Sequence, residues 1–300
     1  MGKTKELIGG QAVMEGVMMK GPKSISVSVR KKDKTIVSKK EDLPKHNILA
    51  KTFFFRGVYN IIEMLVIGIK ALIWSSNQLL EEEEQEEFGK RDIALLLIVS
   101  FGFAILLFVA LPYFLTHFIG FDEIKNPVFF NLIDGIIKIG IFFIYLISIS
   151  LMPDVKRLFE YHGAEHKTVH CYEAGKKLTV ENVREYTTLH PRCGTSFIII
   201  VLVISIFIFA FLPQLTLIIY PGFVGINIWL QKAVLFPLRI LFIPVVAGVS
   251  YEILRLSAKY DNNPIFHIMV IPGLLVQKIT TSEPDDSQIE VAIDAMKKVM

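Results

Sequence analysis

Three of the chain's seven histidines fall within nine residues, in the string Glu160-Tyr161-His162-Gly163-Ala164-Glu165-His166-Lys167-Thr168-Val169-His170-Cys171-Tyr172-Glu173. Imidazoles and carboxylates so grouped are a donor set for a divalent ion, zinc above all. Pro153 and Asp154 open a helical pattern around this string and Gly175 closes it, which predicts a helix of roughly twenty residues. At about 100° per residue, His162, His166, His170, Glu165 and Glu173 share one side of that helix, and Cys171 points away. With a rise of about 1.5 Å per residue, His162 and His170 stand about 12 Å apart. One ion therefore takes only an adjacent pair of histidines, and the other needs a different role.

His162-Gly163-Ala164-Glu165-His166 reads H-x-x-E-H, the inverted zincin pattern, in which two histidines bind zinc and the glutamate activates a water. Its third ligand would be a distant carboxylate, for which Glu252 is a candidate. A second polar cluster follows in His190-Pro191-Arg192-Cys193-Gly194-Thr195-Ser196, where H-x-x-C spacing can bring an imidazole and a thiolate to one ion. His170, Glu173, His190 or Cys193 would then complete or orient the ligand shell. The N-terminal stretch Gly9-Gly10-Gln11-Ala12-Val13-Met14-Glu15-Gly16, continuing to Gly21 and Pro22, reads as a loop whose backbone approaches another part of the chain. It is a tight turn or a ligand loop, with Gln11 and Glu15 as its candidate site residues. It contains neither a dinucleotide fingerprint nor a phosphate loop. The alternative for the histidines is a set of polar side chains on a juxtamembrane helix.

The elements that must hold these residues are set by the hydrophobicity of the chain. Of 300 residues, 52% are hydrophobic and 20% charged, and the mean hydropathy is +0.50, which excludes a wholly soluble protein. Four apolar segments are long enough to span a bilayer: 93–111, ended or kinked by Pro112 before 113–118, 128–152 with Asp134 and Lys138 four apart, 197–220, and 233–251 with Pro237, Arg239 and Pro244. Sorted by segment, 28 of the 32 Lys and Arg residues lie on one side of these spans. The positive-inside rule makes that side cytoplasmic, with both termini and the loop 153–192 on it. The net charge of +3 gives no footprint for nucleic acid. Two cysteines, Cys171 and Cys193, match a reducing compartment rather than a disulfide scaffold.

The expected fold is mainly α: a polytopic helical membrane protein with about four transmembrane helices, a small cytoplasmic N-terminal β-hairpin region and juxtamembrane helices. Residues 1–52 would hold the glycine-rich loop and a hairpin in which Ile25, Val27 and Val29 lead through Lys31-Lys32-Asp33-Lys34 to Thr35 and Val37. Residues 53–92 follow, with Arg56, Glu63, Lys70 and Asn77 on one narrow stripe, which predicts an in-plane or re-entrant helix, with a fifth span as the alternative for 53–80, then an acidic linker from Glu81 to Glu87. Spans fill 93–152, the histidine helix and entry loop 153–196, two further spans 197–251, and a cytoplasmic segment ending in a short amphipathic helix 252–300.

Together, Gly9 to Met19, Tyr161-His162-Gly163-Ala164-Glu165-His166-Lys167, His190-Pro191-Arg192-Cys193-Gly194-Thr195-Ser196-Phe197 and Pro272-Gly273-Leu274 resemble the bacterial YqhQ-like membrane family, a family whose domain carries no assigned function. The resemblance covers nearly the whole chain. It implies a bacterial inner-membrane protein and a predicted metal-dependent enzyme, with a site at the same three places. The expected function is thus a metal-dependent membrane hydrolase with a divalent ion, zinc, on His162 and His166, and Glu165 as base. Its substrate and oligomeric state are open, and the bilayer is the expected partner. The alternatives are a non-catalytic membrane scaffold or assembly factor whose histidine helix is structural, and, more weakly, a transporter built on Asp134, Lys138 and Arg239.

Overall fold

Alternating apolar residues predict one hairpin near the N-terminus, and the structure contains it within a larger sheet. The computed structural model describes residues 8–43, 52–80, 89–259 and 264–300; the side chains of 90, 258–259 and 264–270 are not among those described. The acidic run from Glu81 to Glu87, His46 and the side chain of His267 lie outside them. Among the described residues, β1 (Gly9–Val13), β2 (Gly16–Lys20), β3 (Ser24–Arg30) and β4 (Ile36–Asp42) form an antiparallel meander in chain order. The β3–β4 hairpin pairs Val29 with Val37 and Arg30 with Ile36, around the expected charged turn.

The glycine-rich stretch, expected as a loop, is itself the hairpin β1–β2, turning at Met14 and Glu15. β2 is buried along nearly its whole length, so it shows no alternation by which a strand is read. The close approach expected of its glycines is present. A Cβ on Gly10 would stand 2.5 Å from the Met18 carbonyl oxygen and 3.0 Å from Cγ of Glu165.

Ten α-helices follow among the described residues: α1 (Phe55–Asn77), α2 (Lys90–Ile105), α3 (Leu111–Phe118), α4 (Pro127–Ser150), α5 (Pro153–Ala174), α6 (Val180–Arg184), α7 (Gly194–Ile219), α8 (Ile228–Lys259), α9 (Pro264–Thr280) and α10 (Asp286–Val299). Pro112 does not end the first apolar segment. A π turn over Leu106–Ala110 joins α2 to α3, and the continuous run Arg91–Phe118 is 28 residues long. A proline lacks the N–H that would bond back to the preceding turn, and a widened turn accommodates the ring. α8 likewise runs through Pro237 and Pro244.

Among the described residues, five helices are long and apolar enough to cross a membrane: α1, the α2–α3 run, α4, α7 and α8. Their exposed side chains include Leu95, Ile98, Phe101, Ile144, Phe207, Phe211 and Leu241, as an integral membrane protein requires of its lipid-facing surface. Within the bundle, Asp134 pairs with Lys138 at 3.1 Å, as their spacing predicts. Arg239 joins them, reaching Asp134 at 3.3 Å, Glu123 at 2.8 Å and Asn131 at 2.7 Å. Such groups persist in an apolar bundle because each charge has a partner.

The sheet lies between two helical layers. One face packs α5 and α10, burying Ala12, Val17, Met19, Tyr161, Ala164, Val291, Ala292 and Met296. The other packs α1 through Val13, Met18, Val27 and Ala71. The C-terminal helix α10 is amphipathic as expected, capped by Asp285 accepting from Gln288 N. Its apolar stripe is buried against the sheet and α5 rather than laid on the bilayer.

Candidate metal centre

Helix α5 carries the histidines because its ends are fixed locally. Pro153 occupies the first turn, with Asp154 beside it, and Gly175 closes the helix in the left-handed region at φ 76°. The helix is buried from Gly163 to Val169, so the polar residues there must be paired within the protein. Facing it is the loop between α6 and α7, which ends at Cys193, the N-cap of α7. Gln277 of α9 clamps that loop. Its side-chain oxygen accepts from His190 N at 2.8 Å, and its amide donates to the His190 carbonyl at 2.9 Å.

His162, His166 and Cys193 converge, each offering a ligand atom within 4.8 Å of the others. His162 Nδ1 bonds the Thr280 carbonyl at 2.8 Å, and His166 Nδ1 bonds the Thr188 carbonyl. A carbonyl only accepts, so both imidazoles carry their proton on Nδ1 and aim an Nε2 lone pair inward. His162 Nε2 lies 3.2 Å from Cys193 Sγ. His166 Nε2 is buried and has no hydrogen-bond partner among the described residues. The sulfur also accepts from Thr195 N at 3.5 Å and Thr195 Oγ1 at 3.3 Å, at the electropositive end of α7. Two oriented imidazoles, one sulfur and an unsatisfied buried lone pair fit a divalent ion, zinc by donor type.

His170, Glu173 and His190 form a second group with ligand atoms within 4.8 Å of one another. The spacing argument that His162 and His170 cannot share an ion agrees with this division. His190 and Cys193, whose spacing can bring them to one ion, fall in different groups. The turn that bonds Cys193 N to the His190 carbonyl leaves His190 Nε2 3.4 Å from Glu173, whose other oxygen pairs with Arg192. His170 bonds the Leu189 carbonyl at 2.9 Å and stacks on Tyr186. The ring centroids of His166 and His190, 5.6 Å apart, connect the two groups.

Glu165 is buried beside them without belonging to either group. Burial pushes its carboxyl above the ordinary carboxylate range, opposed by His162, His190 and the Gly10 N–H. Burial holds His166, His170 and His190 below the ordinary histidine value, which favours their neutral form.

The other expected residues lie elsewhere. Glu252, a candidate third ligand, is bound by Arg56 through Nε at 2.7 Å and through Nη2 at 2.5 Å, and accepts from Phe54 N. Glu15 adopts φ 50° in the β1–β2 turn and is held by Arg157 and by Tyr161 Oη. Gln11 lies against α1 at Gly68, where a Cβ would collide with its side chain. Sequence reasoning missed Gln277, Arg192 and the carbonyls of Thr188, Leu189 and Thr280. Carbonyls carry no residue signature, and only the lone amide following Leu274-Leu275-Val276 could have marked Gln277.

A family described as "Protein of unknown function (DUF1385)" matches residues 52–300. The chain is also 34% identical, over 319 aligned residues, to "Uncharacterized protein YqhQ" of Bacillus subtilis (strain 168), covering 99% of this chain and 93% of that protein. No solved structure matches. The histidine helix, the Cys193 loop and the helices that position them all fall within the matched residues, and the chain belongs to the DUF1385 family.

Proposed function

We propose that this protein is a metal-dependent integral membrane enzyme, a hydrolase working at the cytoplasmic face of the bacterial inner membrane. The observation that carries this reading is the buried, unpartnered Nε2 of His166, converging with His162 Nε2 on Cys193 Sγ. These three residues would hold the ion, zinc by donor type. When bound, it supplies Lewis acidity to a substrate oxygen or a water. Glu165 is the base. Its affinity for protons, raised by burial, suits it to take one from the attacking water and pass it to the leaving group. Gln277, Thr188 and Thr280 keep the ligands in place.

Four spans, with α1 in the plane of the cytoplasmic surface, complete the reading. Both ends of α1 meet elements assigned to that side. Arg56 and Gly57 touch Glu252 and Tyr251 at one end, and Ser75 bonds Met14 N at the other. Reporter fusions placed after Leu80 and after Met300 should both report a cytoplasmic location. An external signal at Leu80 alone would make α1 a fifth span.

Purified protein should carry a divalent ion that His166→Ala abolishes, with Glu165→Gln retaining it. The rival reading, a scaffold whose histidine helix is structural, draws on the burial of α5 against the sheet and α10. Absence of bound metal, together with a melting temperature indifferent to chelator, would favour the scaffold.

A further inference from the structure

Away from the histidines, on the opposite face of the sheet, α1 and the strands β3 and β4 enclose a groove of about 780 Å³, within the range of ligand pockets. From α1 come Ile62, Val66, Ile67, Ala71 and Trp74, and from the sheet Ile25 and Val27. Ile62 and Val66 are 56% and 41% exposed, so this apolar lining is open. The α1 wall runs from Tyr59 to Asn77, about 27 Å at the helical rise. Ile93, in the first turn of the α2–α3 run, also lines the groove, which therefore lies beside a helix long and apolar enough to cross a membrane. Two of the rim charges are internally satisfied, Glu63 by Lys20 and Glu41 by Lys39. Lys70 is exposed on the rim and makes no ion pair among the described residues.

We propose that this groove binds a membrane phospholipid, an acyl chain lying along Ile62, Val66 and Trp74 and the phosphate meeting Lys70. An open apolar channel beside a helix apolar enough to cross a membrane takes a hydrocarbon chain from lipid without exposing it to water. The exposed Lys70 ammonium beside it recognises the phosphate. This site is independent of the metal centre and survives if that reading fails.

The chain's two tryptophans make a direct test. Trp229→Phe leaves Trp74, in the groove wall, as the sole reporter. This protein, delipidated in detergent, is titrated with phosphatidylglycerol carrying brominated acyl chains, which quench indole on contact. Saturable quenching at about one lipid per chain is expected. Lys70→Glu should weaken it about fivefold, as should brominated diacylglycerol, which lacks the phosphate. Ile62→Asp should abolish it. Both variants alter exposed side chains, and an unchanged melting temperature confirms their fold. Absent or non-saturable quenching, or quenching equal in Ile62→Asp, overturns the proposal. Such a result would mean bulk detergent contact, or a groove filled by residues 44–50 or 81–88 of the chain itself.

Discussion

The Nε2 of His162 lies 3.2 Å from the Sγ of Cys193, 31 residues away along the chain. The contact joins the middle of α5 to the N-terminus of α7, and with His166 it makes one of the two points at which metal-ligating side chains converge among the described residues.

Metal occupancy tests that convergence. His166→Ala and Cys193→Ser should each lower divalent metal content, read by elemental mass spectrometry of the purified protein. Thr188→Val keeps the backbone carbonyl that orients His166 and should retain the ion. Equal metal in all three variants would remove the ligand assignment.

Gln277 acts at one remove, by holding both backbone groups of His190. Gln277→Ala leaves two buried polar groups unsatisfied, at about 1–3 kcal/mol each. A lower melting temperature and about 10- to 100-fold weaker metal binding are expected. Unchanged metal affinity with a lower melting temperature would confine Gln277 to a structural role.

Acidification should destabilise the metal-free protein. Burial holds His166, His170 and His190 below the value of 6.5 that an unfolded chain shows. The unfolded state therefore binds more protons below about that pH, and stability present above it is lost as pH falls. Glu165 works in the opposite sense. Its folded-state affinity for protons is raised above the ordinary 4.5, so its ionised form is a burden that protonation relieves. Glu165→Gln should melt higher at neutral pH and lose stability more steeply in acid. A melting temperature of Glu165→Gln independent of pH between 7.5 and 5.5, about one unit either side of the histidine midpoint, would contradict the first statement, and identical pH profiles for wild type and Glu165→Gln would contradict the second.

The ionic cluster in the bundle makes a separate stability prediction. Arg239 is fully buried between Glu123, Asp134 and Asn131. Removing it leaves Asp134 with Lys138 alone and Glu123 with Lys232 and the Tyr113 hydroxyl, so Arg239→Met should destabilise the protein, by at most about 3–5 kcal/mol. Scanning calorimetry or a thermal unfolding assay in detergent reads this directly. A neutral outcome would mean that the carboxylates are protonated or hydrated in the folded protein.

Four apolar segments, the helix around His162 to His170, the β3–β4 hairpin and the Asp134–Lys138 pair were legible in the sequence. Each depends on residues close together in the chain: a hydrophobic run, a 3.6-residue period, an alternation, an i,i+4 spacing. The division of histidines into adjacent pairs followed from helical rise alone. Which distant residue meets which pair did not. Cys193 joins His162 and His166 rather than His190, and Glu252 goes to Arg56, because those contacts arise where α5, α7, α8 and α9 pack. The glycine-rich strands escaped notice because β2 is buried on both faces and has no alternation to read. Local periodicity thus determined the elements and the donor types, while the direction of the three α5 imidazoles was decided by backbone carbonyls that only the folded chain brings within hydrogen-bond reach.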